Sequence, residues 1–422
     1  MLKKIRLERF KNFKKAELTV GNLTILVGKN ASGKSNIRDA FRFLHGISRG
    51  YSLAEIIGEK WIEGGVLQWR GIRGGTREVT FEGESTFALE AEFTIQDKNK
   101  VRDAAYRIEI NASTTDQEPQ VVGERLFVSG KGEFIFDSHP KSYPPKQDDP
   151  VHLNVLVQTV KRGRNPAVSF LNSRPIISQF IEHRNVQPSI QEIARLAISA
   201  FSSMRFLDLS PDAMRLPSLP GQTILGDRGE NLSSVLQSIS KDSKSKQALL
   251  QWIEELTPMD AKDFEFTADI TGKILLTLVE ENGQKISAYS ASDGTLRFLA
   301  MIAALLGPQP ADLYFFEELE NGIHPTRLHL LLQLIERKVY GKSIQMVATT
   351  HSSQLLRLLS VESLKYASLT YRLENQPDAR IIRILDIPDA NRVIKEQNLG
   401  RLHESAWLEN IMEFQEDEEV IE

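Results

Sequence analysis

The chain of 422 residues contains no cysteine, which removes disulfides, thiolate metal sites and cysteine nucleophiles together and fits a reducing compartment. A long hydrophobic run is also missing. The longest, Phe298 to Gly307, is far short of the ~20 residues a membrane-spanning helix needs. The first residues, Met1-Leu2-Lys3-Lys4-Ile5-Arg6-Leu7-Glu8, alternate charge with apolar side chains and offer no signal segment. The net charge of -4 argues against a protein that coats nucleic acid by electrostatics alone. No repeat and no long heptad run is present. These absences predict a cytoplasmic, membrane-free protein, either two domains or one large α/β domain with an inserted lobe.

What is present begins with Thr24-Ile25-Leu26-Val27-Gly28-Lys29-Asn30-Ala31-Ser32-Gly33-Lys34-Ser35, an apolar strand running into G-x-x-x-x-G-K-S and then a helical pattern. Gly28 and Gly33 allow positive φ, so that successive backbone N-H groups can curl around phosphates. Lys34 supplies a point charge to the β- and γ-phosphates, Ser35 a hydroxyl ligand to Mg²⁺, and the helix N-terminus a favourable dipole. The loop predicts a nucleotide-binding protein.

Around this loop, Leu2 to Leu7 and Lys15 to Val20 alternate as strands do, and Asn36 to Gly46 reads as a helix with Ile37, Ala40, Phe41 and Leu44 on one face. From Val66 to about Val160, short alternating segments predict an antiparallel lobe inserted after the first helix. Ser138 to Pro150 reads as a mobile loop. Helical periodicity returns over Ile176 to Ser203 and Asn231 to Leu256, with Pro211, Pro217 and Pro220 between them. Strands at Lys273 to Val279 and Leu313 to Phe316 then flank a helix from Gly294 to Leu306 in a regular α/β half. The run Glu413 to Glu419 reads as a disordered acidic tail.

A phosphate loop alone does not fix the class of chemistry. Leu313-Tyr314-Phe315-Phe316-Glu317-Glu318 is an apolar strand ending in two carboxylates, as a Walker B element does. Glu317 then belongs to the Mg²⁺ shell, and Glu318 faces the attacking water as its base. Ser343 to Ser352 is a second apolar strand, ending in His351, placed to hydrogen-bond a γ-phosphate. Between loop and carboxylates, Ser290-Ala291-Ser292-Asp293-Gly294 opens an apolar helix and offers an anion site at its N-terminus. Taken singly, each is bland: a polar strand end, a structural histidine, a helix cap at Ser292 or Asp293. Their order along the chain gives them meaning.

In that order these elements resemble the ABC-type ATPase head. Gly28 to Asn36 and Glu317-Glu318-Leu319-Glu320-Asn321-Gly322-Ile323-His324-Pro325 resemble its RecF, SMC and overcoming-lysogenisation-defect (OLD) branch. The resemblance implies an α/β P-loop head with an antiparallel β lobe and a helical insertion. It divides the chain into a head over 1–390 (loop and β lobe 1–175, helical insertion 176–260, signature, Walker B and histidine lobe 261–390) and a C-terminal helix with acidic tail over 391–422. ATP and Mg²⁺ are the implied ligands. Gly28, Asn30, Gly33, Lys34, Ser35 and Asn36 would hold the nucleotide, Ser35 and Glu317 the metal, and Glu318, His351 and Lys34 would carry the catalysis. Ser292 and Gly294 of a second copy would complete each site in a head-to-tail dimer, with Glu320 to His324 coupling the two sites. Two features depart from the pattern. The stretch Met204 to Asp212 lacks the glutamine usual between the lobes, leaving Gln68 as an outside candidate, and Glu317 stands where Asp is commoner.

SMC-type heads carry hundreds of coiled-coil residues between their halves, which this chain lacks. OLD nucleases add a Toprim domain, whereas only about seventy residues follow His351, few for a domain. The leading expectation is therefore an ATPase, hydrolysing ATP to ADP and phosphate, that gates a separate effector, a nuclease, in a two-gene bacterial anti-phage system. One alternative is a RecF-like repair ATPase that binds DNA directly, through the cluster Lys3, Lys4, Arg6, Arg9, Lys11, Lys14 and Lys15; Lys161, Arg162 and Arg164 form a second basic cluster. Another is a scaffold that binds ATP and barely hydrolyses it.

Overall fold

The computed structural model describes residues 1–112, 118–141, 145–147, 149–159, 164–256, 261–341, 344–374 and 376–421. Lys161 and Arg162 of the second basic cluster, and part of the Ser138 to Pro150 loop, lie outside the described residues. No helix among those described is long and apolar enough to cross a membrane.

Six strands form the central sheet, in the order Met204–Leu207, Leu313–Phe316, Gln345–Thr350, Leu23–Val27, Ala367–Arg372 and Ala379–Arg383. The first five run parallel and the last is antiparallel. Leu23–Val27, Leu313–Phe316 and Gln345–Thr350 are buried at every position, as parallel strands covered on both faces must be. Alternation along Leu23–Val27 divides its side chains between two cores: Leu26 joins the one shared with the antiparallel lobe, and Leu23, Ile25 and Val27 the one behind it. Helix Lys34–Ser48 buries Ile37, Ala40, Phe41 and Leu44. The Phe41 ring meets Phe315 edge-on at 5.7 Å, which seats this helix against the carboxylate-bearing strand.

Register decides the site. Val27 lies opposite Thr350, and Phe316 opposite Ala348. The loops that begin at Gly28 and Glu317, and the residue His351, therefore leave the sheet along one carboxyl edge, where α/β sheets bind ligands.

The antiparallel lobe is an eight-stranded sheet that includes both N-terminal strands, Leu2–Phe10 and Phe13–Thr19, beside Thr86–Asp97. Four of its N-terminal cations pair with carboxylates: Lys3 with Asp103 at 2.6 Å, Lys4 with Glu17 at 2.7 Å, Arg9 with Glu109 at 3.0 Å, and Arg6 with Glu17, Glu90 and Glu92; Lys14 and Lys15 are exposed.

The segment 176–260 carries helices Pro188–Ser199, Leu232–Ser240 and Ser243–Leu256. It also contributes Met204–Leu207, the edge strand of the central sheet, whose four residues, one of them Arg205, are too few for periodicity to reveal it. Ile274–Glu280 does not neighbour Leu313–Phe316. It belongs to a separate three-stranded antiparallel sheet with Ala261–Ala268 and Lys285–Ser287. The acidic run expected to be disordered falls within helix Trp407–Ile421. Leu408 and Met412, four residues apart and buried, give that helix an apolar side that the acidic composition obscures.

One carboxylate sits wholly inside the β lobe. Glu124 accepts from the Tyr106 hydroxyl at 2.9 Å and from the Ile176 and Ile177 amides at 2.6 and 2.8 Å, so it holds the start of helix Ile176–Phe180. Burial pushes its carboxyl up to about 7, against the pull of those donors. A folded state that holds the proton more tightly than the unfolded chain is favoured most below the ordinary carboxyl range, and the advantage is lost as pH rises through about 7. Wild type should thus lose up to about 3 kcal/mol between pH 5 and 8 relative to Glu124→Gln. Urea midpoints of both proteins across that range check it, and parallel pH profiles would refute it.

Candidate nucleotide site

The phosphate loop is shaped by close approach. Gly28 has φ +151° and Gly33 φ +108°, and a Cβ at Gly28 would lie 2.1 Å from the Thr370 carbonyl oxygen. A Cβ at Gly33 would lie 2.7 Å from the Phe13 ring. Ser32 and Thr370 hydroxyls meet at 2.8 Å, and Thr370 donates to the Val27 carbonyl at 3.0 Å, tying the loop to the neighbouring strand. Helix Lys34–Ser48 starts at Gly33 without a side-chain cap, so its leading N-H groups and dipole are offered to an anion.

Lys34 is buried, and its ammonium donates to the carbonyls of Gly28 at 2.5 Å and Lys29 at 2.8 Å. Burial lowers its pKa to about 8, against the opposing fields of Glu318, Glu320 and Glu409. It is held by backbone carbonyls, and no carboxylate among the described residues touches it, so a phosphate can take their place.

At the end of the Leu313–Phe316 strand, Glu317 pairs with Arg38 from the phosphate-loop helix at 3.0 Å through one oxygen. Its other oxygen, Oε1, is buried without a hydrogen-bond partner among the described residues. An unpartnered carboxylate oxygen beside the half-buried Ser35 fits a hard divalent cation such as Mg²⁺, which takes one or two protein oxygens and fills its other positions with phosphate and water. Glu318 adopts φ +50°, an uncommon conformation for this residue type. Its amide donates to the Thr349 hydroxyl at 2.9 Å, and Asn321 donates to its carboxylate at 3.1 Å. The His351 amide donates to Glu320 at 2.8 Å. Burial, and then the Lys34 charge, lower the His351 pKa, favouring the neutral ring that has one donor and one acceptor.

These residues converge on one cavity of ≈ 460 Å³. It is lined by Asn30, Gly33, Lys34, Ser35, Asn36, Glu317, Glu318 and His351 together. Gly28 stands behind it as the bend of the loop. Ser292 and Gly294 do not line it. Ser292 caps helix Asp293–Leu306, accepting from the Thr295 amide at 3.1 Å. A Cβ on Gly294 would lie 2.1 Å from the Gly322 carbonyl oxygen. Gln68 is exposed on the Val66–Trp69 strand, away from the lining, and the residue that follows Met204–Leu207 is Asp208.

Sequence reasoning passed over Asn12, Arg73 and Thr349, which also line the cavity. The Asn36 amide donates to Asn12 at 2.7 Å, and Arg73 reaches Asp39 at 3.2 Å. A lone Asn in a strand turn reads as a turn former, and Arg73 sits among glycines with no motif around it. Only the positive φ at Arg9 and Lys11, on the approach to Asn12, marks that turn as unusual. A larger cavity of ≈ 620 Å³ adjoins the outer side of the loop at Lys29 to Ser32 and is walled by Glu409.

A family model described as "AAA domain, putative AbiEii toxin, Type IV TA system" matches residues 23–357. An ATP/GTP phosphatase of Helicobacter pylori (strain ATCC 700392 / 26695) is 23% identical over 379 residues, covering 85% of this chain and 87% of that protein. Among solved structures, an Smc head bound to the C-winged helix domain of ScpA aligns with TM-score 0.50 at 13% identity, over 90% of this chain and 97% of that one. The SMC head domain from Thermotoga maritima aligns with TM-score 0.41 at 12% identity, over 91% and 98%.

A lysine whose charge is lost near pH 8 sets the pH dependence of anion binding. Affinity for ATP should fall as pH rises through about 8, because the neutral amine attracts phosphate less and binding must then recruit a proton. In Lys34→Met the affinity should be low and flat across the same range. Calorimetric titration from pH 7 to 9.5 checks both, and equal slopes in the two proteins would remove Lys34 from the account.

Proposed function

This chain belongs to the AAA-domain family whose model it matches and is an ATPase with an ABC-type head; from that premise we propose that it works as an ATP-gated dimeric switch. The observation that carries the reading is the division of its motifs. Lys34, Ser35, Glu317, Glu318 and His351 share one cavity, while Ser292 and Gly294 stand outside it on a helix N-terminus. Two copies arranged head to tail would lay the Ser292 to Gly294 turn of each against the nucleotide of the other.

In this reading Lys34 leaves the carbonyls of Gly28 and Lys29 for the β- and γ-phosphates, while the uncapped helix N-terminus faces them. Ser35 and the free oxygen of Glu317 would hold Mg²⁺, which when bound neutralises charge on the phosphate oxygens. Glu318 takes the proton of the attacking water as its oxygen bonds to the γ-phosphorus and the bond to the ADP oxygen breaks. Neutral His351 donates to the γ-phosphate. ADP and phosphate leave, and the two copies separate.

The switch would serve a separate effector protein, in our reading a nuclease of a defence system. The matching family's description, which names a putative toxin of a Type IV TA system, points toward systems of this general kind and names no nuclease. The DNA-binding alternative relied on N-terminal cations. Lys3, Lys4, Arg6 and Arg9 are engaged by carboxylates of their own sheet, which weakens that reading, while Lys14 and Lys15 are exposed.

Glu318→Gln keeps the size and removes the base. Turnover should fall by at least about 10²-fold, and with ATP the variant should accumulate as a dimer by light scattering. A scaffold would show little change in either measurement. A variant that stays monomeric with ATP would sink the switch.

A further inference from the structure

The turn that this reading offers to a partner's nucleotide carries an awkward charge. Asp293 is the first residue of helix Asp293–Leu306, between Ser292 and Gly294. A carboxylate there suits the helix dipole, but it also competes with an incoming phosphate for the same N-terminus and repels it. Arg215 meets this carboxylate from a different element. It follows the short helix Pro211–Met214, whose Pro211 and Met214 are buried, so its backbone is anchored in the core. Its guanidinium donates to Asp293 at 2.6 Å and to the Ala291 carbonyl at 3.1 Å. It therefore bridges the residues on either side of Ser292. A weaker contact at 3.3 Å reaches Asp212, which is almost fully exposed. Arg215 itself is only 24% exposed while Asp293 is 65% exposed, so the carboxylate lies at the surface and the cation behind it.

We propose that Arg215 is a positioning residue of the composite ATPase site: it fixes the Ser292 to Gly294 turn and cancels the Asp293 charge that a partner's γ-phosphate would otherwise face. The inference rests on the head-to-tail reading above. A planar, permanently charged fork suits the task, because it can hold a carboxylate and a carbonyl at once in a set geometry. Arg215 does not line the cavity that holds Lys34. Its loss should leave each copy's own nucleotide pocket intact and damage only the surface shown to the other copy.

The test separates charge from packing. In Arg215→Ala, binding of a fluorescent ATP analogue to the isolated chain should match wild type, while kcat falls by about tenfold or more. Adding Asp293→Asn should restore most of that kcat, since the repelling charge is gone. A purely structural arginine would give no such rescue. If the double variant stays as impaired as Arg215→Ala, or if Arg215→Ala turns over like wild type, the inference is overturned.

A mixing experiment distinguishes this failure from failure of the dimer reading. Lys34→Ala mixed with Ser292→Ala should regain activity that neither has alone, because one of the two composite sites is then whole, and Lys34→Ala mixed with Arg215→Ala should do the same. No gain in the Ser292 mixture overturns the head-to-tail reading and the inference with it. Gain in the Ser292 mixture alone overturns the role of Arg215 and leaves the reading standing.

Discussion

The parallel pairing of Leu23–Val27 with Gln345–Thr350, and of the latter with Leu313–Phe316, is the constraint on which the rest depends. Side-chain direction in a strand has period two, so a slip of one residue would turn every buried side chain to the opposite core. It would also move Glu317 or His351 about 3.3 Å along the strand direction, toward or away from the carboxyl edge. With these three strands buried at every position, such a slip has no low-energy alternative. The hydrophobic cores thereby set the relative positions of a lysine, two carboxylates and a histidine that lie far apart in the chain.

That rigidity lets the site hold charges in uneasy company. Lys34 rests on two carbonyls, Glu317 keeps one oxygen on Arg38 and one on nothing, and Asp39 has a buried oxygen, Oδ1, without a partner. A buried charged oxygen left unsatisfied costs about 1–3 kcal/mol or more. At the cavity itself that cost falls on Glu317, whose free oxygen suits a divalent cation. Since Lys34 rests on neutral carbonyls and one Glu317 oxygen is unpartnered, an incoming phosphate and cation need not break a charge-charge bond at either group. Had a carboxylate paired with Lys34 directly, the same ligand would first have to break a charge-assisted bond.

What was legible in the sequence was what is local in it. The loop Gly28 to Ser35 announces itself because its glycines, lysine and serine are contiguous, and each conformation is fixed by close contacts with Thr370 and Phe13. Glu317, Glu318 and His351 were visible as polar ends of apolar strands. Asn12 and Arg73 were not, because each reaches the cavity from a turn whose residues carry no period and no motif. The same limit hid Met204–Leu207, a strand of four residues between helices. The ion pairs that neutralise the N-terminal cations were equally invisible, since Asp103 and Glu109 lie about a hundred positions away in the chain. Composition misled once, where an acidic run suggested disorder and Leu408 and Met412 supplied a buried helix face.

The residues after the carboxylates connect the cavity to the turn at Ser292 to Gly294 within one copy. Glu318 and Glu320 stand at one end of this segment. The first is held by Thr349 and Asn321, and the second accepts the His351 amide. Gly322 stands at the other end with φ +77°, and its carbonyl is pressed so near Gly294 that no side chain fits there. Glycine at both places is what the contact demands: one needs the left-handed backbone, the other the absence of a Cβ. Five residues with bonds at one end and van der Waals contact at the other leave little slack. A ligand that moves Glu318 or His351 must therefore shift Gly322 against Gly294, or strain the segment between them. On the head-to-tail reading, Gly294 is the part of this copy that faces the other nucleotide. On that reading, the coupling between the two sites would run through this short loop, whose two ends are held by the contacts above.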